Sequence, residues 1–245
     1  MTDSGARAAA PLPCAILAGG LATRMGSLTA EVPKALLPVG GRPFVEHQLE
    51  WLARGGVREV VLCIGHLGDR LRAHVGDGER LGVRVRYADD GDARLGTGGA
   101  LREACRQGLL GEAFLVTYGD SYLAIDPRAV ATTLLAGDAP AVMSVFRNDD
   151  RHDRSNVALD GLKVARYEKG LTNPMQHGMD HIDYGLMAFR RDALLQRLPA
   201  AGPADLAPVL TRLARERLLA AVVADRRFYE IGSPAGLREL EELLA

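Results

Sequence analysis

From Cys14 to Phe146 the chain alternates short apolar runs with amphipathic stretches, and this alternation restricts the fold more than any other feature. A strand buried on both faces reads as a continuous apolar run, and parallel neighbours must be joined by a crossover long enough to hold a helix. The apolar runs predict strands at Cys14 to Ala18, Glu59 to Ile64, Val83 to Tyr87, Ala113 to Thr117 and Ala141 to Phe146. The stretches between them predict helices near Pro43 to Arg54, Gly68 to Val75, Gly99 to Gln107 and Pro127 to Leu135. The pattern is that of an α/β domain on a mainly parallel sheet. Beyond Phe146 the texture becomes charged, and an Asp160-Gly161 turn between Val157 to Leu159 and Lys163 to Tyr167 predicts a hairpin. The closing run SPAGLRELEELLA opens with serine and proline and carries leucines at helical spacing, so it predicts a capped helix.

With 245 residues, 47% of them hydrophobic, the chain can bury the core of one large domain. The expected organisation is a flexible tail over residues 1–12 and a single domain over 13–245. The 30 basic and 31 acidic residues nearly cancel, which removes the broad positive field that binds nucleic acid or an anionic membrane. An anionic substrate must therefore be met by local charges. Cys14, Cys63 and Cys105 are scattered, with no metal-binding spacing, as in a reducing compartment. The N-terminal segment lacks the apolar core of a secretory signal, and no run is long enough to span a membrane. A cytoplasmic location is expected.

Three clusters carry chemistry. After the first strand come Leu17, Ala18, Gly19 and Gly20, then Thr23, Arg24 and, ten residues on, Lys34. Paired glycines allow close backbone approach to an anion, Thr23 adds a hydroxyl, and Arg24 and Lys34 add positive charge. A tight turn with solvated cations would use the same residues. Neither the P-loop spacing nor the GxGxxG fingerprint fits here. A second glycine-rich stretch, Gly96, Thr97, Gly98 and Gly99, opens a helix and suits a flat base, an anion or a simple cap. Third, Asp120 stands just past a strand, where open α/β sheets bind ligands and where a carboxylate serves either a turn or Mg²⁺. His177 and His181 are only a weak metal pair, because their four-residue spacing falls outside a clear helix.

Leu17 to Met25 followed by Pro33-Lys34 resembles the signature of the sugar-phosphate nucleotidyltransferase family, with Ala22 where glycine and Met25 where leucine are usual. The resemblance extends to Gly96 through Gly99, to Asp120, and more loosely to Tyr229 through Pro234, where Glu230 replaces the usual aspartate. It implies a Rossmann-like three-layer αβα domain with a mixed, mainly parallel sheet and a small β hairpin facing the substrate. It further implies nucleotide contacts from Leu17, Ala18, Gly19, Gly20, Thr23, Gly96, Thr97 and Gly99. Arg24, Lys34 and Asp120 take catalytic roles, with Asp120 and Glu230 on Mg²⁺. Asn156, Lys169, Asp183, Tyr184 and Gly185 fall where the family contacts its sugar phosphate.

The implied reaction joins a nucleoside triphosphate to a sugar 1-phosphate, giving a nucleotide sugar and pyrophosphate. Compact size inclines the choice toward GTP and D-glycero-D-manno-heptose 1-phosphate, for a cell-surface polysaccharide. UTP- or dTTP-dependent hexose or muramate 1-phosphate transfer, cytidylyl transfer to a phosphorylated alcohol, and a non-catalytic nucleotide-sugar sensor stay open, as does assembly into a homo-oligomer.

Overall fold

The computed structural model describes residues 11–20, 31–91 and 93–244. In chain order the strands and α-helices are β1 (Cys14–Leu17), β2 (Pro38–Val39), β3 (Arg42–Pro43), α1 (Phe44–Arg54), β4 (Glu59–Ile64), α2 (Gly68–Val75), β5 (Arg84–Asp89) and α3 (Gly96–Arg106). There follow β6 (Ala113–Tyr118), β7 (Ser121–Tyr122), α4 (Pro127–Ala136), β8 (Ala141–Arg147), β9 (Val157–Asp160), β10 (Lys163–Tyr167), β11 (His181–Arg190) and α5 (Arg191–Leu195). The chain continues through α6 (Leu206–Arg215), β12 (Leu219–Ala224), β13 (Tyr229–Glu230) and α7 (Pro234–Leu244).

A nine-stranded sheet forms the centre, in the order β5-β4-β1-β6-β11-β8-β12-β10-β9. All its strands run one way except β10 and β11, so the sheet is mixed and mainly parallel. One apolar cluster joins it to α3, α5 and α6, and a second joins it to α1, α2 and α4. The result is the expected three-layer α/β arrangement. The five strands expected before Phe146 are present within a residue at most boundaries, and α3 begins at Gly96 rather than Gly99.

The second half holds strands and helices that its charged texture did not announce. Strand β11 inserts antiparallel between β6 and β8 and is buried along nearly its whole length. Its register shifts between Asp183 and Met187, where Gly185 has φ of 99°, a conformation that a residue with Cβ adopts only under strain. The Ser144 hydroxyl donates to the Leu186 carbonyl at 2.6 Å and accepts from the Leu186 amide at 3.1 Å, which satisfies the backbone at this irregularity. The β9–β10 hairpin forms across the expected Asp160-Gly161 turn, and β10 also pairs with β12. Helix α7 is capped as its sequence indicates: the Ser233 hydroxyl accepts from the Gly236 amide at 3.1 Å, and Pro234 is the first helical residue. Among the described residues no helix is long and apolar enough to cross a membrane.

Candidate active site

Because β5, β4, β1 and β6 are adjacent and parallel, their carboxyl ends lie along one rim. A cavity of about 360 Å³ occupies that rim, lined among others by Leu17, Ala18, Gly19, Gly20, Lys34, Asp90, Gly96, Thr97 and Asp120. Loop glycines permit the strand ends to crowd together. A Cβ on Gly19 would stand 3.3 Å from the Gly65 amide nitrogen, and one on Gly119 would stand 2.9 Å from the Leu17 carbonyl oxygen. A side chain at Gly19 would thus press on the neighbouring strand end, whereas a Cβ on Gly20 would meet none of the described residues within 4 Å. Thr23 and Arg24 lie outside the described residues.

Lys34 and Asp120, 86 residues apart in sequence, meet here, with Nζ 2.6 Å from Oδ2. Lys34 is presented by a short 3-10 turn, Lys34–Leu36, that follows Pro33. Their side chains are 19% and 21% exposed, so the pair is partly shielded from water yet open to the cavity. Strand β7 continues directly from Asp120 and pairs antiparallel with β13, Ser121 standing opposite Glu230. The Ile231 amide donates to the Asp120 carbonyl at 2.9 Å. This small ribbon brings the backbones of Asp120 and Glu230 together. A Cβ on Gly236 would fall 2.1 Å from the Glu230 carbonyl oxygen, so the first turn of α7 can pack there only because that residue is glycine. Two carboxylates on adjoining backbones offer the hard oxygen donors Mg²⁺ prefers, with substrate phosphates able to fill other positions. No group of three or more His, Cys, Asp or Glu suited to a metal occurs among the described residues. His177 lies in a 3-10 turn and His181 on β11 with Nδ1 2.7 Å from Asp180, so the weak histidine pair gains no further ligands.

A second cavity, about 230 Å³, adjoins the first, and Tyr118 lines both. Asn156, Lys169, Asp183, Gly185 and Glu230 line it together, as do Asp153, Arg154 and Phe228, which no sequence motif had marked. Asp183 is held from several sides. Its Oδ1 accepts from the Gly185 amide at 3.0 Å, its Oδ2 lies 3.5 Å from the Tyr118 hydroxyl, and its own amide donates to Asn156 Oδ1 at 2.9 Å. Burial pushes the Asp183 carboxyl above the usual range, with the nearby Lys169 charge opposing the rise. Burial, reinforced by Asp183, raises the Tyr118 phenol well above its ordinary value. The Lys169 ammonium lies 5.6 Å from the centre of the Tyr118 ring, placing a cation over the shared wall.

Two expectations need correction. Tyr184 does not line the second cavity: it is fully buried in the core beside Phe228, and its hydroxyl accepts from the Ala124 amide at 3.0 Å. Successive residues of a strand face opposite ways, so Asp183 and Tyr184 cannot both face the cavity. Gly99 likewise stays out of the first cavity. The amides of Gly98 and Gly99 donate to the Ala204 carbonyl at 2.8 and 3.0 Å, so the α3 N-terminus is engaged by the approach to α6. Thr97 reaches the cavity, but its hydroxyl also accepts from the Leu206 amide at 2.8 Å and caps α6. Gly96, with φ of 72°, turns the chain into α3. Asp90, Arg94 and Tyr118 line the first cavity without having been singled out. The available signal was position: Asp90 and Tyr118 sit at carboxyl ends of predicted parallel strands, as Asp120 does.

Residues 14–231 match the family described as the MobA-like NTP transferase domain, and the chain belongs to that family. Among its relatives, the D-glycero-alpha-D-manno-heptose 1-phosphate guanylyltransferase of Campylobacter jejuni is 34% identical over 156 residues, 63% of this chain and 67% of that protein. The N-acetylmuramate alpha-1-phosphate uridylyltransferase of Neisseria meningitidis is 27% identical over 230 residues, 93% of this chain and 96% of its own length. The solved structure of HddC from Yersinia pseudotuberculosis, complexed with GMP-PN, shares the fold with a TM-score of 0.78 at 24% identity, covering 96% of this chain and 100% of that one.

Proposed function

We propose that this chain condenses a nucleoside triphosphate with a sugar 1-phosphate, releasing pyrophosphate, and that its substrates are GTP and D-glycero-D-manno-heptose 1-phosphate in a Mg²⁺-dependent, cytoplasmic reaction. The observation that carries this reading is the pair of adjoining cavities that share Tyr118, with Asp120 on one and Glu230 on the other. Membership of an NTP transferase family supports the larger cavity as the nucleotide site. The 34% identity to the Campylobacter guanylyltransferase supports the choice of guanine and heptose.

In this scheme a phosphate oxygen of the sugar 1-phosphate attacks the α-phosphorus in line. The new P–O bond forms as the bond to the β-phosphate's bridging oxygen breaks, and the electron pair leaves with pyrophosphate. The protein's part is positioning and charge compensation. Lys34 offsets the negative charge growing on the leaving group, while the glycine loop holds the nucleotide against the strand ends. Lys169 and Asn156 orient the sugar phosphate, and Asp183 accepts from a sugar hydroxyl. Asp120 and Glu230 would hold Mg²⁺, which supplies further neutralisation of phosphate charge when bound. Thr23 and Arg24 complete the phosphate contacts.

Pyrophosphate release measured with each common nucleoside triphosphate against heptose, mannose, glucose and muramate 1-phosphates tests the proposal. Release confined to GTP with the heptose confirms it. Release with UTP and the muramate sugar keeps the reaction and replaces the substrates. Tight nucleotide binding without release across the panel defines a sensor and refutes catalysis.

A further inference from the structure

The far wall of the nucleotide cavity, at the β5 end, holds an acid whose hydrogen-bonding capacity the described residues leave partly unused. Asp90 follows β5 and its main chain is fixed, the amide donating to the Ile64 carbonyl at 2.9 Å and the carbonyl accepting from the Ala93 amide at 3.1 Å. Among the described residues its Oδ1 is buried without a hydrogen-bond partner, and its Oδ2 lies 3.6 Å from where a Cβ of Gly19 would stand. The carboxylates near it deepen the demand for a donor. Burial, together with Asp89 and Glu103, raises its pKa to about 6, so the group is still ionised at neutral pH. A buried carboxylate oxygen without a donor is costly, and such exceptions in native proteins call for an explanation such as a ligand.

The position of Asp90 along the rim suggests which part of a nucleotide meets it. Three strand spacings separate the β5 and β6 ends, about 14 Å at the usual interval. The phosphates belong at the Lys34–Asp120 end, beside the second cavity, so the base falls at the opposite end. Resting on the nucleotidyltransferase reading, we propose that Asp90 reads the Watson–Crick edge of the base and selects guanine. Guanine presents two adjacent donors, N1–H and the 2-amino group, to the two acceptor oxygens of one carboxylate. Uracil and thymine present a single N–H flanked by carbonyl oxygens that repel it, while adenine and cytosine set a ring acceptor beside their amino group. A turn about the broad terminal torsion of aspartate brings both carboxylate oxygens to the base. Oδ1 then gains the donor that the described residues do not supply.

The test is equilibrium binding of GTP, ITP, XTP and UTP to the full chain and to Asp90→Asn, with thermal melting to confirm that the variant folds. GTP and ITP differ by the 2-amino group, and XTP replaces that donor with an acceptor on the same ring system. The wild-type protein should bind GTP at least about tenfold tighter than either, since a bidentate contact of this kind discriminates by that much or more. An asparagine offers one acceptor and one donor, matching xanthine's edge, so Asp90→Asn should reverse the GTP-to-XTP order. Simple loss of folding cannot produce that reversal. Wild-type preference for UTP, or an Asp90→Asn protein that still favours GTP over XTP, overturns the inference while leaving the transferase reading intact. Failure of the wild-type protein to bind any nucleotide overturns both.

Discussion

Replacing Lys34 by methionine removes a charge and preserves most of the side-chain length, so it separates what the Lys34–Asp120 pair does for stability from what it does for turnover. At 2.6 Å the gross attraction is about 6 kcal/mol if the effective dielectric constant is about 20. Partial burial of both groups carries a desolvation cost that cancels most of this, and the cavity lets water screen the rest. With side chains 19% and 21% exposed, the net contribution should be about 1 kcal/mol, between that of exposed and buried pairs. For a chain of this size that lowers Tm by about 2–4 °C. Loss of a fixed positive charge beside the departing pyrophosphate should lower kcat by about 10²–10³. Pyrophosphate release and thermal melting on the same preparation give both numbers. A double variant, Lys34→Met with Asp120→Asn, should melt no lower than the worse single variant, because neither charge is left without its partner. Near-wild-type kcat in a folded Lys34→Met protein would refute the catalytic role. A Tm loss above about 10 °C would instead show that the pair is chiefly structural.

Gly236→Ala should displace the Glu230 carbonyl, because the added Cβ would fall 2.1 Å from it. A destabilisation of about 1–3 kcal/mol and a raised Mg²⁺ requirement are expected, read by melting and by metal titration of turnover; an unchanged protein on both counts would be contrary. Lys169→Ala should raise KM for the sugar phosphate about tenfold and leave KM for the triphosphate near its original value, because Lys169 lines only the second cavity. Glu46 offers a pH test of the fold. Burial alone would raise its pKa, but hydrogen bonds from Arg80, His74 and Arg42 lower it from 4.5 to about 2. Its stabilisation is therefore fully present above about pH 4.5 and lost as pH falls through about 2. Urea titrations should show Glu46→Gln losing about 1–2 kcal/mol at neutral pH, discounted because its partners are partly exposed, with a shallower decline in acid. Equal acid slopes in the two proteins would contradict the cause.

The apolar runs before Phe146 were enough to locate β1, β4, β5, β6 and β8, since a doubly covered strand must be apolar along its length. Local signals also marked the α7 cap and the Asp160-Gly161 hairpin, because caps and tight turns depend on a few neighbouring residues. Beyond Tyr167 those cues weakened. Strand β11 carries Asp183 and Gly185 inside its apolar run, residues that ordinarily argue against a central strand, and only pairing with β6 and β8 makes the strand intelligible. Helix α6 and strand β12 likewise take their places from packing against the sheet.

Periodicity and motif spacing are local properties of the chain, so the class of fold, the chemical types gathered in each motif and the family signature around Lys34 could be read from the order of residues. The contact of Lys34 with Asp120, the pairing of β7 and β13 that brings the Glu230 backbone to that of Asp120, and the place of Asp90 in the same cavity as Lys34 emerge only on folding. Folding also turned Tyr184 into the core and engaged the α3 amides with Ala204. Strand order and the direction of each side chain from its backbone are set by which elements pack together, and contacts between distant residues follow from that packing alone.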